Sequence, residues 1–191
     1  PVPTSREELK LSVVNEDTTS FYLYNRDADA FFVDGNSWGT QASIGTIGIP
    51  VWFTQNEDGS YLFHDWSRRD SKWFLLFIDS ESSMFVDRNQ QANYFWDIVD
   101  MGDKVYRFHG ADANPQYNFT SYPNCYMGYY FSDANESTAL NAHLDMSEVG
   151  DLDGEAYYVD WWLISEADYK AMEPKLLAYD AAKALEPVLE E

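Results

Sequence analysis

The sequence contains a single cysteine, Cys125, among 191 residues, so no intramolecular disulfide can staple the chain. Basic residues are scarce: 12 Lys and Arg stand against 33 Asp and Glu, a formal charge of −21 at pH 7. A field of that sign repels phosphates, and no basic stripe offsets it, which excludes a nucleic-acid binder. Anionic membrane surfaces are disfavoured for the same reason. No run of about 18 apolar residues occurs, so no membrane insertion by a helix is expected. A signal peptide is also missing. The chain opens on Pro1-Val2-Pro3 and stops inside a helical pattern at Glu190-Glu191, ends expected of a processed or trimmed segment. Without staples the chain must bury a core of its own, and this length suffices for one domain.

What is abundant is aromatic. Seven Trp, 14 Tyr and 12 Phe make up 17% of the chain, and such residues suit strands, cores and carbohydrate-facing surfaces alike. They fall in short runs separated by turn residues. Phe21–Asn36 aligns with Phe74–Asn89 without a gap at an offset of 53, with six identities: Phe21/Phe74, Leu23/Leu76, Phe32/Phe85, Val33/Val86, Asp34/Asp87 and Asn36/Asn89. Each copy reads strand, polar turn, strand. A second hairpin follows each. Val51–Thr54 and Tyr61–His64 flank Asn56-Glu57-Asp58-Gly59, whose Asp-Gly supplies the positive φ of a tight turn. Tyr94–Val99 and Val105–His109 flank Asp100-Met101-Gly102-Asp103 in the same way.

A third, more divergent copy starts near Tyr117, with a hairpin over Asn118–Gly128 and a closing strand over Tyr157–Ile164. Three units of roughly 45 to 50 residues, each a pair of hairpins, predict a β-trefoil-like, all-β domain, with a sandwich of similar strand count as the alternative. The predicted organisation is a polar lead-in over 1–19, the β domain over 20–164 and a helical extension or linker over 165–191. Ser165 caps the first turn there, with Glu166 and Asp168 behind it. Pro174 is expected to start a second helix, with Leu177, Ala181, Ala184, Leu185 and Val188 along one face.

The stretch Phe21-Tyr22-Leu23-Tyr24-Asn25, then Phe32-Val33, then Gly35-Asn36-Ser37-Trp38-Gly39-Thr40-Gln41-Ala42-Ser43 resembles the opening of ricin-B-like β-trefoil modules at the N-terminus of secreted bacterial proteins. The ending Trp162-Leu163-Ile164-Ser165-Glu166-Ala167-Asp168-Tyr169 is similar to theirs as well. The resemblance covers about residues 20 to 170. It implies a secreted or cell-surface location and a binding or accessory role, and many members of the group have no assigned function. One departure stands out: the Gln-x-Trp signature of sugar-binding trefoil repeats is absent. Trp52, Trp96 and Trp162 are expected to fill comparable core positions instead.

The most pointed candidate site is the loop after Phe32-Val33. Trp38 there can stack on a sugar ring while Asp34 and Asn36 hydrogen-bond hydroxyls, and Asp87 and Asn89 repeat the polar pair. The same residues equally suit repeated structural turns. His64 and His109 close matching hairpins, yet equivalent positions in a threefold fold lie too far apart to share a metal. The acidic stretch Asp145–Glu155 fails the EF-hand pattern and reads as a solvated loop. Cys125 has no local base or orienting partner and reads as a buried structural thiol. No catalytic motif emerges, and no cofactor or metal is expected. The sequence therefore predicts a non-catalytic binding or accessory module, with a glycan as ligand; a protein-interaction or structural module of a cell-surface assembly is the alternative.

Overall fold

The computed structural model describes residues 20–36, 41–78, 84–88, 95–110, 126–132, 137–138, 140–143 and 155–189. In chain order the strands are β1 (Phe21–Asn25), β2 (Ala30–Asn36), β3 (Gln41–Gly45), β4 (Val51–Gln55), β5 (Tyr61–Ser67), β6 (Lys72–Ile78) and β7 (Met84–Arg88). They continue as β8 (Phe95–Gly102), β9 (Val105–Gly110), β10 (Tyr126–Ser132), β11 (Leu140–His143), β12 (Glu155–Tyr158) and β13 (Trp161–Ser165), and the helix α1 (Glu166–Leu189) follows.

Antiparallel pairings close a ring: β1 with β4, β4 with β5, β5 with β8, β8 with β9, β9 with β13, and β13 back to β1. The hairpins β2–β3 and β6–β7 and the pair β10–β11 branch from this ring. They meet one another, β3 pairing with β7 and β11 packing beside both. A ring of six strands with three capping pairs is a β-trefoil. Strand β12, which pairs with β10, has no counterpart among the described residues of the other two units.

The register of the ring pairs gives the threefold equivalence residue by residue. Leu23 faces Leu163, Phe63 faces Phe53, and Phe108 faces Ile98. One step along each strand in the same phase, Phe21, Tyr61 and Tyr106 are equivalent, as are Val51, Trp96 and Trp161. All of them are buried and belong to one core. Because successive strand side chains alternate faces, the intervening residues point outward.

One carbonyl recurs at the edge of this core. The indole N–H of Trp96 donates to Leu76 O and that of Trp161 to Met127 O, both at 3.2 Å. In the first unit the equivalent position is Val51, which has no donor. The equivalent carbonyl, Phe32 O, instead accepts from the backbone N–H of Ile49 at 3.2 Å. A buried carbonyl left bare would cost about 1–3 kcal/mol, so the valine is tolerated because the chain supplies a different donor.

Three expectations change here. The 53-residue alignment sets β1 and β2 against β6 and β7, one strand out of phase; the equivalent of β1 is β5, and then β9. Of the tryptophans assigned to the core, Trp96 is there, but Trp52 and Trp162 sit one residue out of register and face outward, while Trp161 faces in. The closing strand over Tyr157–Ile164 divides into β12 and β13, separated by Val159 and Asp160. The Asn56–Gly59 turn forms as expected, with Gly59 at φ 89° and the Asp58 carboxylate accepting from Ser60 N–H at 3.0 Å.

The helix begins where Ser165 places it, its hydroxyl accepting from Asp168 N–H at 3.1 Å. It then runs as one piece through Pro174, so the expected second helix does not exist as a separate element. Its barrel-facing stripe is Tyr169, Met172 and Leu176, with spacings of three and four. Leu177 and Leu185 of the expected face are instead exposed, at 52% and 57%. No helix among the described residues is long and apolar enough to cross a membrane.

Tyr169 fixes α1 to the barrel. Its ring stacks on Tyr22 at 3.6 Å and 4°, and meets Phe31 nearly perpendicularly at 5.3 Å. Its hydroxyl oxygen accepts from Gly48 N–H at 3.0 Å. Gly48 permits this approach, because a Cβ there would lie 3.1 Å from both Phe31 Cβ and Tyr22 Cδ1. Tyr169→Ala should therefore cost about 3–5 kcal/mol, and Tyr169→Phe about 1–2 kcal/mol through the orphaned Gly48 N–H. Urea unfolding followed by circular dichroism checks both; equal losses would show that ring packing contributes nothing beyond the hydrogen bond.

Candidate functional site

The outward face has three equivalent rows, each crossing three strands. They are Trp162–Tyr24–Phe31, Trp52–His64–Leu75 and Asp97–His109–Tyr126. The first lies under α1, packed with Tyr169, Met172 and Leu176. The last is polar: His109 Nδ1 lies 3.6 Å from Asp97 Oδ2, and the His109 ring sits 4.9 Å from Tyr126. No described element covers the middle row, where Trp52 and His64 stand side by side.

In that row the indole of Trp52 lies flat on the imidazole of His64, at 3.7 Å and 10°. Thr54 Oγ1 sits 2.6 Å from His64 Nε2, fixing the ring in plane. Burial pushes the His64 pKa down to about 4, so the imidazole is neutral near pH 7. The next row pairs Trp66 with Trp73 across β5 and β6, at 5.3 Å and 71°. Trp73 also meets Trp52, at 6.2 Å and 90°. All three indoles are half-buried. The result is a contiguous corner of three tryptophans backed by a neutral histidine.

The turn between Trp66 and Trp73 is tied down from below. Arg68 N–H donates to Asp34 Oδ2 at 2.9 Å and its Nε to Asp34 Oδ1 at 3.0 Å. Its remaining guanidinium nitrogens reach Ile47 O at 3.3 Å and Asp34 O at 3.2 Å. Ser67 Oγ accepts from Asp70 N–H at 3.1 Å, and Ser71 closes the turn at φ 51°. Arg69 pairs with the Asp70 carboxylate at 2.7 Å, which holds the Asp70 carboxyl below its usual range, with the Ser67-bonded turn keeping the two side by side.

The sequence-derived site residues take different places. Asp34 is buried on β2 with both carboxylate oxygens engaged by Arg68, so it braces the tryptophan corner from beneath. Asn36 ends β2 opposite Gln41, beyond a register shift that starts at Val33, and Gly35 between them holds φ 111°. Asp87 lies on β7, close in sequence to Phe85, which pairs with Gln41. The β2–β3 and β6–β7 hairpins therefore meet, but Asp34 on β2 and Asp87 on β7 are not equivalent positions. Trp38 and Asn89 lie outside the described residues, as do Cys125 and the acidic stretch from Asp145 to Asp153.

The residues that the sequence reading passed over are Trp66 and Trp73, together with the outward placement of Trp52. The signal was present in the alternation of β5: Tyr61, Phe63 and Asp65 inward, Leu62, His64 and Trp66 outward. Among the described residues no group of three or more His, Cys, Asp or Glu is placed to hold a metal.

No protein-family model and no curated protein matches the sequence. Solved structures do resemble the chain. A GlcNAcα1-4Gal-releasing endo-β-galactosidase from Clostridium perfringens matches 77% of it at 14% identity with a TM-score of 0.50. The chain spans 32% of that enzyme. ThreeFoil, a designed threefold-symmetric protein, matches 76% of it at 13% identity with a TM-score of 0.46, over 97% of the design. Strand pairing defines a β-trefoil domain, and among its described residues an aromatic corner on the outer face of β4–β6 is left uncovered by the helix.

Two consequences can be measured. Arg68→Ala leaves the buried Asp34 carboxylate without its cation, and should cost about 2 kcal/mol while altering the emission of the neighbouring tryptophans; urea denaturation and fluorescence read the two. The second concerns pH. The folded His64 pKa lies below the unfolded value of about 6.5, so below that value the unfolded state binds the extra proton. Stability is lost as pH falls from about 6.5 toward about 4. After discounting for partial solvent exposure, His64→Gln should remove about 1–2 kcal/mol of the stability difference between pH 7 and pH 5. Parallel urea titrations at the two pH values would show an unchanged slope if another group is responsible.

Proposed function

We propose that the domain is a non-catalytic module that binds glycans through the Trp52, Trp66 and Trp73 corner on the outer face of β4–β6. The observation that carries this is the corner itself: three half-buried indoles joined through Trp73 on the outer face of one sheet. Indole faces bury the C–H faces of sugar rings, and edge donors such as the indole N–H can reach hydroxyls. His64 and Thr54 keep Trp52 in one orientation, so less ordering remains to be done when a ligand arrives. The fold similarity to part of an endo-β-galactosidase supports a glycan-related setting. A secreted or cell-surface location accords with that role.

Intrinsic tryptophan emission of the full chain, titrated with a panel of oligosaccharides, reads the binding. Trp73→Ala, which removes the central indole, should weaken it by about 1.5–3 kcal/mol, more than tenfold. An unchanged affinity in that variant moves recognition to another surface, and a chain that captures surface proteins but no glycan is an interaction module.

A further inference from the structure

On that glycan-binding reading, we infer that the corner takes one or two rings of an uncharged, soluble glycan, and neither an acidic glycan nor the face of an insoluble polysaccharide. Two independent features lead there: the angles between the indoles and the distribution of charge around them.

A sheet of packed polysaccharide chains is flat and needs aromatic rings that share a plane. Here the Trp73 plane is turned 90° from Trp52 and 71° from Trp66, and the three centroids lie within 6.2 Å of their neighbours. Rings so close and so steeply inclined share no plane, so each offers a face or an edge of about single-ring size, and together they make a small stepped notch rather than a flat platform. The side chains around it, Thr54, His64 and Leu75, add no charge, since His64 is neutral above about pH 4. Among the described side chains, the nearest cations are committed elsewhere. Arg68 binds Asp34 and Arg69 pairs with Asp70. The Lys72 ammonium sits 4.9 Å over the Phe74 ring, on the strand face opposite Trp73. Among the described side chains an anionic sugar would meet no unengaged counter-charge here, and it would approach a chain of net charge −21.

The test uses the full chain and three sets of probes. The first is neutral gluco-, galacto- and N-acetylglucosamine oligosaccharides of increasing length; the second is uronate-containing oligosaccharides; the third is insoluble cellulose and chitin. Affinity for neutral oligomers should change by less than about threefold beyond two rings, because only one or two rings are seated. The insoluble polymers should not deplete the protein. Uronate oligomers should bind at least about fivefold more weakly at low salt, with the gap narrowing near about 0.5 M NaCl. Affinity that climbs more than about tenfold with length, depletion onto cellulose or chitin that Trp73→Ala removes, or uronate binding as tight as neutral binding overturns the inference but leaves glycan recognition standing. Binding to no probe, or binding untouched by both Trp73→Ala and Trp52→Leu in variants with native circular dichroism, overturns glycan recognition at this corner itself.

Discussion

The cross-strand register of three ribbons, β13–β1, β4–β5 and β8–β9, is the constraint on which everything else depends. In each, one residue points into the barrel and its neighbour points out, so a slip of one position would expel every core side chain. The register is held because the inward sets are large and the outward sets are not interchangeable with them. Leu23, Phe63 and Phe108 face Leu163, Phe53 and Ile98 across the ribbons, all buried. The indole bonds from Trp96 and Trp161 to the carbonyls of Leu76 and Met127 fix the same register a second time, since they join barrel strands to capping strands. Once the ribbons are set, Trp52 and His64 can only face outward, directly opposite each other. The candidate site is therefore a by-product of core packing.

The chemistry of the outward rows has diverged while their geometry has not. At one set of equivalent positions stand Trp162, Trp52 and Asp97, and beside them Tyr24, His64 and His109. In the first row the aromatic surface is consumed by the helix: Tyr169 lies on Tyr22 and against Phe31, with Met172 and Leu176 completing the cover. In the third row a carboxylate replaces the indole, and the histidine turns toward it. The middle row keeps the indole and adds two more from β5 and β6.

Much of this was legible from the residues, and the failures have a common cause. The Asp-Gly turn, the Ser165 cap and the acidic first turn of α1 are local signals, decided within a few residues, and they appear as read. So does the trefoil as a class, because it needs only strand number and turn spacing. What could not be read was phase. Many strands here are aromatic and apolar on both sides of a turn, so Phe21-Tyr22-Leu23 shares two identities with Phe74-Leu75-Leu76 and none with its true equivalent, Tyr61-Leu62-Phe63. The wrong phase made Asp34 and Asp87 look like repeated ligands. Asp34 is a buried partner for Arg68, a contact between residues distant in sequence that no local pattern announces. The same ambiguity placed Trp52 in the core when the pairing with His64 puts it outside.

Threefold folds invite the expectation of three equivalent sites, and the proposed site uses only one of the three outward rows. A trefoil that kept the same aromatic row in each unit would meet a polymer at three points and gain by effective concentration without any new contact. This chain has spent one row on anchoring a helix and has lost the indole from another. On the proposed reading, a single notch has no avidity to draw on, so its selectivity would rest on fit at one or two rings. That is consistent with how firmly the notch is held: Thr54 bonded to His64, His64 stacked under Trp52, and Asp34 clamping the turn that carries Trp66 toward Trp73. A surface that relied on many weak, repeated contacts would have little use for a buried carboxylate clamped beneath it. A monovalent site does, because every degree of freedom frozen in advance is one that the ligand need not freeze on arrival.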